Sequence, residues 1–540
     1  MLSKLICFLK SSGPGSLTDA LIQAGELECG LADLGHPGAG AASQLTDALA
    51  ERLCGGTSRD LLQLAKRIKL PESISIAPPE GFTYYALHPL DFSRLAERLP
   101  AGHASWAVIG IRSIGTTVSA TTAAALRISG RSAQRITVRP EGHPYDRCLS
   151  FDQTQLQWVR KQLQVSAQFL IVDEGPGRSG STFLSVAEEL GRAGVPAENI
   201  TIAGSRSLDA ASLCAHNAAT RWQKFRFLAT IPSVNSRFKD CSYVGGGEWR
   251  AVFCEDEGSW PASWIQMERL KFLSSDRSTL FKFEGMGRVG AQVRERAAAL
   301  SRAGLGPRAE EAGDGFLAYS VMPGAMLSRL NLCRSLLDHI AKYCAFRLAN
   351  FSCQGSVHAE LPHMLAHNLE QEFGWTSPLD TEHLLTARPA LADGAMHPCE
   401  WILAANGRII KTDGISHGDN HFFPGPCDIA WDLAGTAVEW ELKADAIEYL
   451  VRQFQRHSGV EVSKRLPAHI LAYCVFRLGF CKMGLSTARG SKEEGRLYSA
   501  YRKYRNHAAE LLRVAAGSRI QDLLDCRTGF AAARLHRLQD

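Results

Sequence analysis

The sequence predicts an α/β protein in which a parallel-sheet domain comes first and a two-lobed α+β domain with a helical last part follows. Strand-like and helix-like segments alternate over residues 106–204, which is typical of a parallel sheet with helices on its faces. The alternation stops over residues 210–235, and a hairpin, a strand, a helix and a further strand follow. From about residue 327 the chain is mostly helical, apart from a strand–loop segment at residues 400–427.

Length and charge agree with two domains that bind small molecules. A chain of 540 residues exceeds one ordinary hydrophobic core, so we predict a first domain at residues 1–225 and a second at residues 226–540. The net charge of +5 is too small for this length to indicate nucleic-acid binding. Basic helical runs near the C-terminal end are interpreted as solvated helix faces.

The cysteines and the apolar segments indicate a cytoplasmic protein. The 15 cysteines are scattered without a CxxC pair, so the sequence predicts neither a disulfide framework nor a zinc site. The apolar run in MLSKLICFLKSSG is too short for a signal peptide, and no run of about 18 apolar residues occurs elsewhere. We therefore expect no membrane association.

Two strand–turn–helix units form the core of the first domain. The strand WAVIGI at residues 106–111 runs into the polar turn Arg112–Thr117 and then into the Ala-rich segment TTAAALRISG. The strand FLIV at residues 169–172 runs into an acidic, glycine-rich turn and then into the helix FLSVAEELGRAG. Ligands of parallel sheets bind beyond the carboxyl ends of the strands, so both turns are candidate ligand loops.

The turn after the second strand predicts a ribose 5-phosphate site. Asp173 and Glu174 are adjacent carboxylates, which suit the two hydroxyls of a ribose diol. The loop Gly177–Thr182 then offers small side chains and backbone N–H groups before a helix, and such a loop cradles a phosphate. The alternative is an ordinary strand-to-helix turn with a Ser or Thr cap.

This strand, acidic pair and loop resemble the signature of the type I phosphoribosyltransferases. The resemblance covers residues 100–210 and implies that Asp173 and Glu174 contact the ribose hydroxyls of phosphoribosyl pyrophosphate. It implies a 5-phosphate contact for the loop residues Gly177, Arg178, Ser179, Gly180 and Ser181. Arg112 and Ser113 would belong to the pyrophosphate loop. The segment Arg139–Arg147 falls where the family carries a mobile catalytic loop, and an ordinary surface loop is the alternative.

The order of segments in the second domain predicts a site for ATP. Phosphoryl transfer from ATP requires a backbone cover for phosphates, a cation fixed by an ion pair, and carboxylates for magnesium. Gly245, Gly246 and Gly247, in a predicted hairpin, are candidates for the cover. Lys282 is the candidate cation with Glu295 as its partner, although both side chains are also consistent with solvated surface charges.

The later part of this domain resembles the aminoglycoside phosphotransferase and choline kinase group. His397–Pro398 matches the His-Pro of the group's catalytic segment, Glu400 stands at its Asn position, and Asp413 lies thirteen residues further on. The run Asp428–Ala434 matches the group's Asp-Pro-Ala-(Trp/Phe)-Asp-Leu-Ala segment. The resemblance implies that Asp413 and Glu400 bind Mg²⁺, because magnesium prefers hard oxygen ligands beside phosphate.

One position departs from that group. Ala395 stands where the group has its catalytic Asp, and Asp393 lies two residues earlier. A second His-Gly-Asp segment ends at Asp419, which is a candidate base or second metal ligand. His397 is a third catalytic candidate, with a structural histidine as the alternative.

These patterns predict a two-domain transferase. The second domain is expected to be an Mg²⁺- and ATP-dependent phosphotransferase acting on a small hydroxyl-bearing metabolite, and the first to bind phosphoribosyl pyrophosphate or a ribose phosphate. Two alternatives stay open: a non-catalytic nucleotide sensor, and a phosphoribosyltransferase with a pseudokinase scaffold. The sequence favours no particular acceptor, base or oligomeric state.

Overall fold

The fold is described from a computed structural model of the chain. The described residues are Leu5, Leu9 and residues 16–57, 60–100, 102–353, 360–376, 381–420 and 422–516.

The chain divides into two compact units. Unit 1 comprises Met1–Ser242, Phe281–Glu295 and Glu310–Ala318. Unit 2 comprises Tyr243–Leu280, Arg296–Ala309 and Tyr319–Asp540.

Unit 1 therefore extends beyond the division predicted at residue 225 and takes in two later segments. Hydrogen bonds explain this assignment for the first of them. The N–H of Gly287 donates to Asp19 over 2.6 Å, and the N–H of Met286 donates to the carbonyl of Phe82 over 3.0 Å. Arg294 adds an ion pair to Asp19 at 2.8 Å. Contacts distant in sequence thus set the division.

The α-helices have the following bounds: α1 Ser16–Asp33, α2 Ala39–Leu53, α3 Leu61–Lys66, α4 Glu80–Tyr84, α5 Pro89–Ser93, α6 Leu95–Arg98, α7 Ile114–Ile128, α8 Gln153–Gln164, α9 Ser181–Arg192, α10 Ala218–Trp222, α11 Val234–Arg237, α12 Trp249–Phe253, α13 Gly287–Arg302, α14 Arg334–Asn350, α15 Glu360–Phe373, α16 Ala430–Glu439, α17 Ala444–Ser458, α18 Leu466–Thr487 and α19 Lys492–Ala516.

The strands have the following bounds: β1 Ser105–Ile111, β2 Ser132–Val138, β3 Glu141–His143, β4 Asp146–Cys148, β5 Gln168–Val172, β6 Ile200–Gly204, β7 Arg226–Ala229, β8 Ser242–Tyr243, β9 Lys271–Leu273, β10 Thr279–Phe283, β11 Ala309–Gly313, β12 Phe316–Ser320, β13 Gly324–Met326, β14 Trp401–Ala404 and β15 Ile409–Lys411.

The predicted parallel sheet of the first domain is confirmed. Its strand order is β2-β1-β5-β6-β7, and every neighbouring pair is parallel. Consecutive residues of β1, such as Val108 and Ile109, are fully buried, which is expected where helices cover both faces of a parallel sheet. Because β1 and β5 are neighbours, the turns that follow them lie at the same edge of the sheet.

Helices at the N-terminal end complete this unit. Helices α1 and α2 pack against each other and against α7, and their apolar faces form a second core cluster around Leu27 and Leu49. Arg135 of β2 is buried beneath them and forms ion pairs with Glu28 at 2.9 Å and Asp47 at 2.6 Å. The buried charge is therefore paired on two sides.

A second sheet has the strand order β11-β12-β10-β9-β8. Further along unit 2, an antiparallel sheet has the order β13-β14-β15. In the helical region α18 packs against α16 and α19, and α14 packs against α17. The predicted helical C-terminal region is therefore present.

One described helix, α18, is long and apolar enough to cross a membrane by length and composition. Of its most apolar 18-residue window, 56% is buried inside the protein. His469 is fully buried on this helix. This degree of burial is typical of a helix in the core of a protein.

Candidate functional site

The acidic pair of unit 1 lies where the structure brings two loops together. Asp173 follows β5, and its Oδ1 accepts a hydrogen bond from the N–H of Gly115 over 3.0 Å. Gly115 lies in the first turn of α7, within the segment Arg112–Thr117 that the sequence predicted as a ligand loop, so one hydrogen bond joins the two predicted ligand segments. A Cβ at Gly115 would lie only 2.6 Å from the carbonyl oxygen of Val172, which explains the glycine.

Glu174 faces the first turn of α4, which contains Glu80 and Gly81. Its carboxylate accepts a hydrogen bond from the backbone of Gly81, and a Cβ at Gly81 would lie 3.0 Å from the carboxylate. Arg206 and Glu80 also act on its charge. The Pro-Pro-Glu-Gly run at residues 78–81 marks a turn in the sequence. Nothing in that run indicates that it contacts Glu174, which is distant in sequence.

Burial raises the pKa of both carboxyl groups. For Asp173 burial is the main cause, the neighbouring Glu174 adds to it, and the pKa rises to about 7. For Glu174 burial again dominates over the opposing charge of Arg206, and its pKa also rises to about 7. Each group is therefore close to half-ionised near neutral pH.

The turn after β1 has an unusual backbone at Ser113. This residue has φ 111° and ψ −113°, a region that favours glycine. Its side chain caps no N–H of α7. Non-glycine strain of this kind clusters at binding and catalytic sites. Ser113 lies two residues before Gly115, which is bonded to Asp173.

The predicted phosphate loop is partly closed by the hairpin of β3 and β4. Ser179 and Ser181 are 6% and 1% exposed, and their hydroxyl oxygens lie 2.9 and 3.0 Å from the carbonyl oxygen of Pro144. The two hydroxyls are also 2.9 Å apart. Because buried hydroxyls require partners, this carbonyl takes the place predicted for a phosphate oxygen. Gly177 and Arg178 are exposed, and Gly180, the N-cap residue directly before α9, has φ 69°.

Arg112 is engaged by an acidic residue at the end of α1. It forms an ion pair with Asp33 at 3.1 Å, and Arg139 also bonds to that carboxylate. Although burial alone would raise it, the hydrogen bonds from Arg139 and Arg112 hold the pKa of Asp33 below its ordinary value. The predicted pyrophosphate contact of Arg112 would compete with this pair.

A buried lysine lies at the centre of the predicted metal site in unit 2. Lys411 ends β15 and is 2% exposed. Its Nζ lies 2.8 Å from Glu400 Oε2 and 3.4 Å from the carboxylate oxygens of Asp393. It also donates to the carbonyl oxygen of Asp413 over 3.1 Å. Burial would lower the pKa of Lys411, but Asp393 and Glu400 raise it above its ordinary value.

This arrangement weighs against Glu400 in the predicted magnesium site of Glu400 and Asp413, and the site itself stays a prediction. The carboxylate of Glu400 is neutralised by the Lys411 ammonium, so Glu400 does not fit as a ligand of a divalent ion while that lysine lies beside it. Asp413 fits better, because its side chain is 23% exposed. In the sequence, Lys411 directly follows Ile409 and Ile410 within the predicted strand–loop segment, and this apolar context was the available signal of a buried charge.

Asp393 is buried too deeply to be the predicted catalytic base. It is 0% exposed, and the hydroxyl of Tyr343 donates to it over 2.5 Å. Burial would raise its pKa, but Lys411, His417 and Arg347 lower it below the ordinary value. A base must reach the hydroxyl of an acceptor, and these contacts prevent it.

Asp432 and Arg347 stabilise the buried segment that contains Asp393. Asp432 accepts hydrogen bonds from the backbone N–H groups of Asp393 and Gly394 at 2.8 and 3.1 Å. Its carboxylate lies 3.7 Å from Arg347, and both side chains are almost completely buried. Burial, offset by Arg347 and increased by Asp393, raises the pKa of Asp432 to about 6.

Asp413 lies beside two basic side chains, a lysine and a histidine. Its Oδ2 is 3.7 Å from Lys271 Nζ and 3.6 Å from His417 Nε2. Lys271 is also 3.5 Å from Glu268. No role was predicted from the sequence for Lys271, Glu268 or His417. Glu268 stands three residues before Lys271, and this spacing was the available signal.

The predicted hairpin at Gly245–Gly247 is instead a turn that leads into α12. Gly246 and Gly247 have φ 58° and 85°, and the N–H of Gly247 donates to Glu268 over 3.0 Å. A Cβ at Gly247 would lie 2.4 Å from the guanidinium of Arg250. The N–H of Gly247 is therefore engaged inside the protein rather than turned toward a phosphate.

The predicted ion pair between Lys282 and Glu295 does not form. Lys282 is 5% exposed, and its Nζ lies 3.1 Å from Glu284, which is also buried. Glu295 is exposed on α13. The buried carboxylate of Glu284 requires a counter-charge more than the exposed carboxylate of Glu295 does, and this explains why Lys282 pairs with Glu284. Lys282 and Glu295 belong to unit 1, whereas the other ATP-site candidates belong to unit 2.

Two catalytic candidates remain, His397 and Asp419. His397 Nδ1 lies 3.3 Å from Glu439, a buried carboxylate that also accepts hydrogen bonds from Tyr473 at 2.8 Å and Tyr504 at 2.7 Å. His397 therefore fits the structural alternative. Asp419 lies in a 3₁₀ turn, and its side chain is outside the described part of the chain.

No protein-family model matches the chain, and no curated protein was found to be similar to it. Solved structures were found with low similarity. The choline kinase LicA from Streptococcus pneumoniae is 12% identical with a TM-score of 0.31, over 45% of this chain and 90% of that one. A choline/ethanolamine kinase family protein from Mesorhizobium loti is 12% identical with a TM-score of 0.31, over 49% and 97%.

The macrolide 2'-phosphotransferase MphH from Brachybacterium faecium is 14% identical with a TM-score of 0.31, over 47% of this chain and 95% of that one. Similarity at this level carries no inference about the activity of this chain.

Proposed function

We propose that the protein is a transferase that binds two phosphate-bearing small molecules. Unit 2 acts as an ATP-dependent phosphotransferase on a small hydroxyl-bearing metabolite, and unit 1 binds phosphoribosyl pyrophosphate or a ribose phosphate. The protein works in the cytoplasm, with small molecules and neither nucleic acid nor membrane as its partners.

One observation carries the assignment of unit 2. The partly exposed carboxylate of Asp413 lies two residues after β15 and has two basic partners, Lys271 and His417. A carboxylate beside a lysine is the pairing that kinase sites use to hold a metal and the phosphates of ATP. A magnesium ion bound to Asp413 would neutralise charge on the transferred phosphoryl group.

The assignment of unit 1 rests on Asp173 and Glu174. Both lie at the carboxyl edge of a parallel sheet, where ligands of such sheets bind. Their raised pKa values fit carboxyl groups that accept hydrogen bonds from a sugar diol and lack a strong cationic partner. Ser179 and Ser181 contact the ligand phosphate once their hydroxyl groups exchange the carbonyl oxygen of Pro144 for a phosphate oxygen.

Calorimetry of the full chain with ATP and with phosphoribosyl pyrophosphate tests both assignments. We expect Asp413→Asn to weaken ATP binding about tenfold or more with phosphoribosyl binding unchanged, because it removes a charged oxygen ligand. The double change Asp173→Asn, Glu174→Gln is expected to do the reverse. The exposed residue Glu448 provides a control, and Glu448→Gln is expected to change neither affinity.

Two results would contradict these assignments. A folded wild-type protein that binds neither ligand removes both of them. A double mutant of the unit 1 pair that loses both ligands while folded shows that the two sites are not separate.

A non-catalytic nucleotide sensor is the second candidate, and specific observations favour it. Ala395 stands at the position of the expected base, and the nearby Asp393 is buried and bonded to Tyr343. ATP turnover in the presence of a metabolite mixture separates the two candidates. Measured transfer of phosphate to any metabolite excludes the sensor, whereas binding without turnover excludes the phosphotransferase.

A further inference from the structure

Three oxygen acceptors surround the ammonium group of Lys411. They are the carboxylate of Glu400 at 2.8 Å, the carbonyl of Asp413 at 3.1 Å and the carboxylate of Asp393 at 3.4 Å. An ammonium group has three N–H donors, so its donors match these acceptors in number. The lysine side chain is 0% exposed. The group is thus held like a bound cation.

Two of these acceptors, the carboxylates of Asp393 and Glu400, form with His417 a group whose geometry would suit a metal ion. One ligand atom each from Asp393, Glu400 and His417 can be chosen so that all lie within 4.8 Å of one another. Carboxylate oxygens at such spacing are typical ligands of a hard divalent cation. A divalent ion placed there would lie within a few Å of the Lys411 ammonium, and repulsion between such close charges is strong away from water.

We propose that Lys411 is a built-in cation that takes the place of a divalent metal at Glu400 and Asp393. The single positive charge of the lysine replaces a metal that could dissociate, and no divalent ion binds at these two carboxylates. Any metal that the unit uses is bound elsewhere. The consequence for a nucleotide rests on the proposed function: nucleotide binding does not require a metal at Glu400.

A purely structural ion pair is the competing explanation, and removal of the charge separates the two. Lys411→Met keeps the length and apolar stem of the side chain but leaves Asp393 and Glu400 without their cation. If Lys411 stands in for a metal, the vacated carboxylates gain affinity for one. If it is only a structural pair, the variant loses stability and gains no metal site.

The test is a Mn²⁺ titration followed by electron paramagnetic resonance, on wild type and on three Lys411 variants. We expect Lys411→Met to bind one more Mn²⁺ per chain than wild type. Lys411→Arg keeps the charge and is expected to match wild type. The double variant Lys411→Met, Glu400→Gln is expected to lose the additional ion. A folded Lys411→Met that binds no more Mn²⁺ than wild type overturns the proposal.

A second measurement applies even when Lys411→Met does not fold. Glu400→Gln in the presence of Lys411 is expected to leave the Mn²⁺ binding of wild type unchanged, and a loss of bound Mn²⁺ overturns the proposal. ATP binding in the presence of a chelator then separates this inference from the proposed function. Absence of ATP binding with and without Mg²⁺ counts against the phosphotransferase alone and leaves the Mn²⁺ result in force.

Discussion

The two units treat clustered carboxylates in opposite ways. In unit 1, Asp173 and Glu174 form no ion pair with a described basic residue, and burial raises the pKa of each to about 7. In unit 2, Asp393 and Glu400 share the buried ammonium of Lys411, and the pKa of Asp393 falls below its ordinary value. Burial acts in the same direction in both clusters, so the nearby cations decide the outcome.

This difference indicates what each site still requires. The unit 1 carboxyl groups lack strong partners, and a ligand that supplies hydroxyl donors would satisfy them. The unit 2 carboxylates are already neutralised by Lys411, and Asp413 has Lys271 and His417 nearby. Under the proposed function, a ligand of unit 2 would therefore meet a pre-organised set of charges, whereas a ligand of unit 1 would complete its site by binding.

Removal of the buried support for the unit 2 cluster is expected to have the largest effect. Asp432→Ala removes a carboxylate that lies 3.7 Å from the buried guanidinium of Arg347, and it leaves two buried backbone N–H groups without their acceptor. Loss of one partner of a buried pair costs about 3–5 kcal/mol, so the free energy of unfolding should fall by that amount. Urea denaturation measures it, and hydrogen exchange at the amides of residues 393 and 394 should accelerate.

The exposed pair Glu448 and Arg452 provides the matched control. Their side chains are 73% and 65% exposed, and Glu448→Ala should change the free energy of unfolding by no more than about 0.5 kcal/mol. Asp432→Asn keeps one acceptor and should fall between the two. An Asp432→Ala protein as stable as the control would show that the charges of the unit 2 cluster need no buried support.

The unit 1 pair predicts a pH dependence of intermediate size. If ribose 5-phosphate requires the ionised form of Asp173, whose pKa is about 7, affinity should rise about tenfold between about pH 6 and about pH 8. Calorimetry at several pH values measures this. The double variant Asp173→Asn, Glu174→Gln has no carboxyl group that titrates at these two positions. The pH dependence of its affinity therefore reports only the ionisation of the ligand and should lack the rise that Asp173 causes. A wild-type profile as flat as that of the variant contradicts the raised pKa.

Without ligand, the free energy of unfolding should fall as the pH rises, in contrast to the rise predicted for the affinity. The folded pKa values of Asp173 and Glu174 are raised above those of the unfolded chain, so the folded state binds more protons between about pH 4 and about pH 7. Their contribution to stability is complete below about pH 4 and is lost as the pH rises through about 7. Urea denaturation of the double variant should show a smaller loss over this range than wild type.

The sequence predicted those features that local pattern determines. Alternating strands and helices gave the parallel sheet, and the position of Asp173 at the end of an apolar strand placed it at the ligand-binding edge. The hydrogen bond from Gly115 to Asp173 follows from the same reasoning, because neighbouring parallel strands end together. These predictions needed only the direction and order of the strands.

Contacts between distant segments could not be predicted in this way. Pro144 lies 35 residues before Ser179, and only the folded hairpin shows that its carbonyl reaches both serine hydroxyls. Lys411 ends an apolar strand, where a solvated charge is the ordinary expectation. Its burial depends on Asp393, which is 18 residues away, and on the Tyr343 hydroxyl that holds that carboxylate. Such pairings are set by tertiary packing.

The smallest effect is expected at Ser113, where unit 1 holds a strained residue beside its acidic pair. With φ 111°, Ser113 pays a conformational cost of about 1–3 kcal/mol that glycine avoids. Glycine also has more freedom in the unfolded chain, which costs about 0.5–1 kcal/mol. Ser113→Gly should therefore raise the free energy of unfolding by about 1 kcal/mol. Ser129, at the other end of α7 with φ −77°, is the control, and Ser129→Gly should lower it. Equal losses in the two variants would show that the turn next to Asp173 stores no strain, and the two acidic sites would then differ in their charges alone.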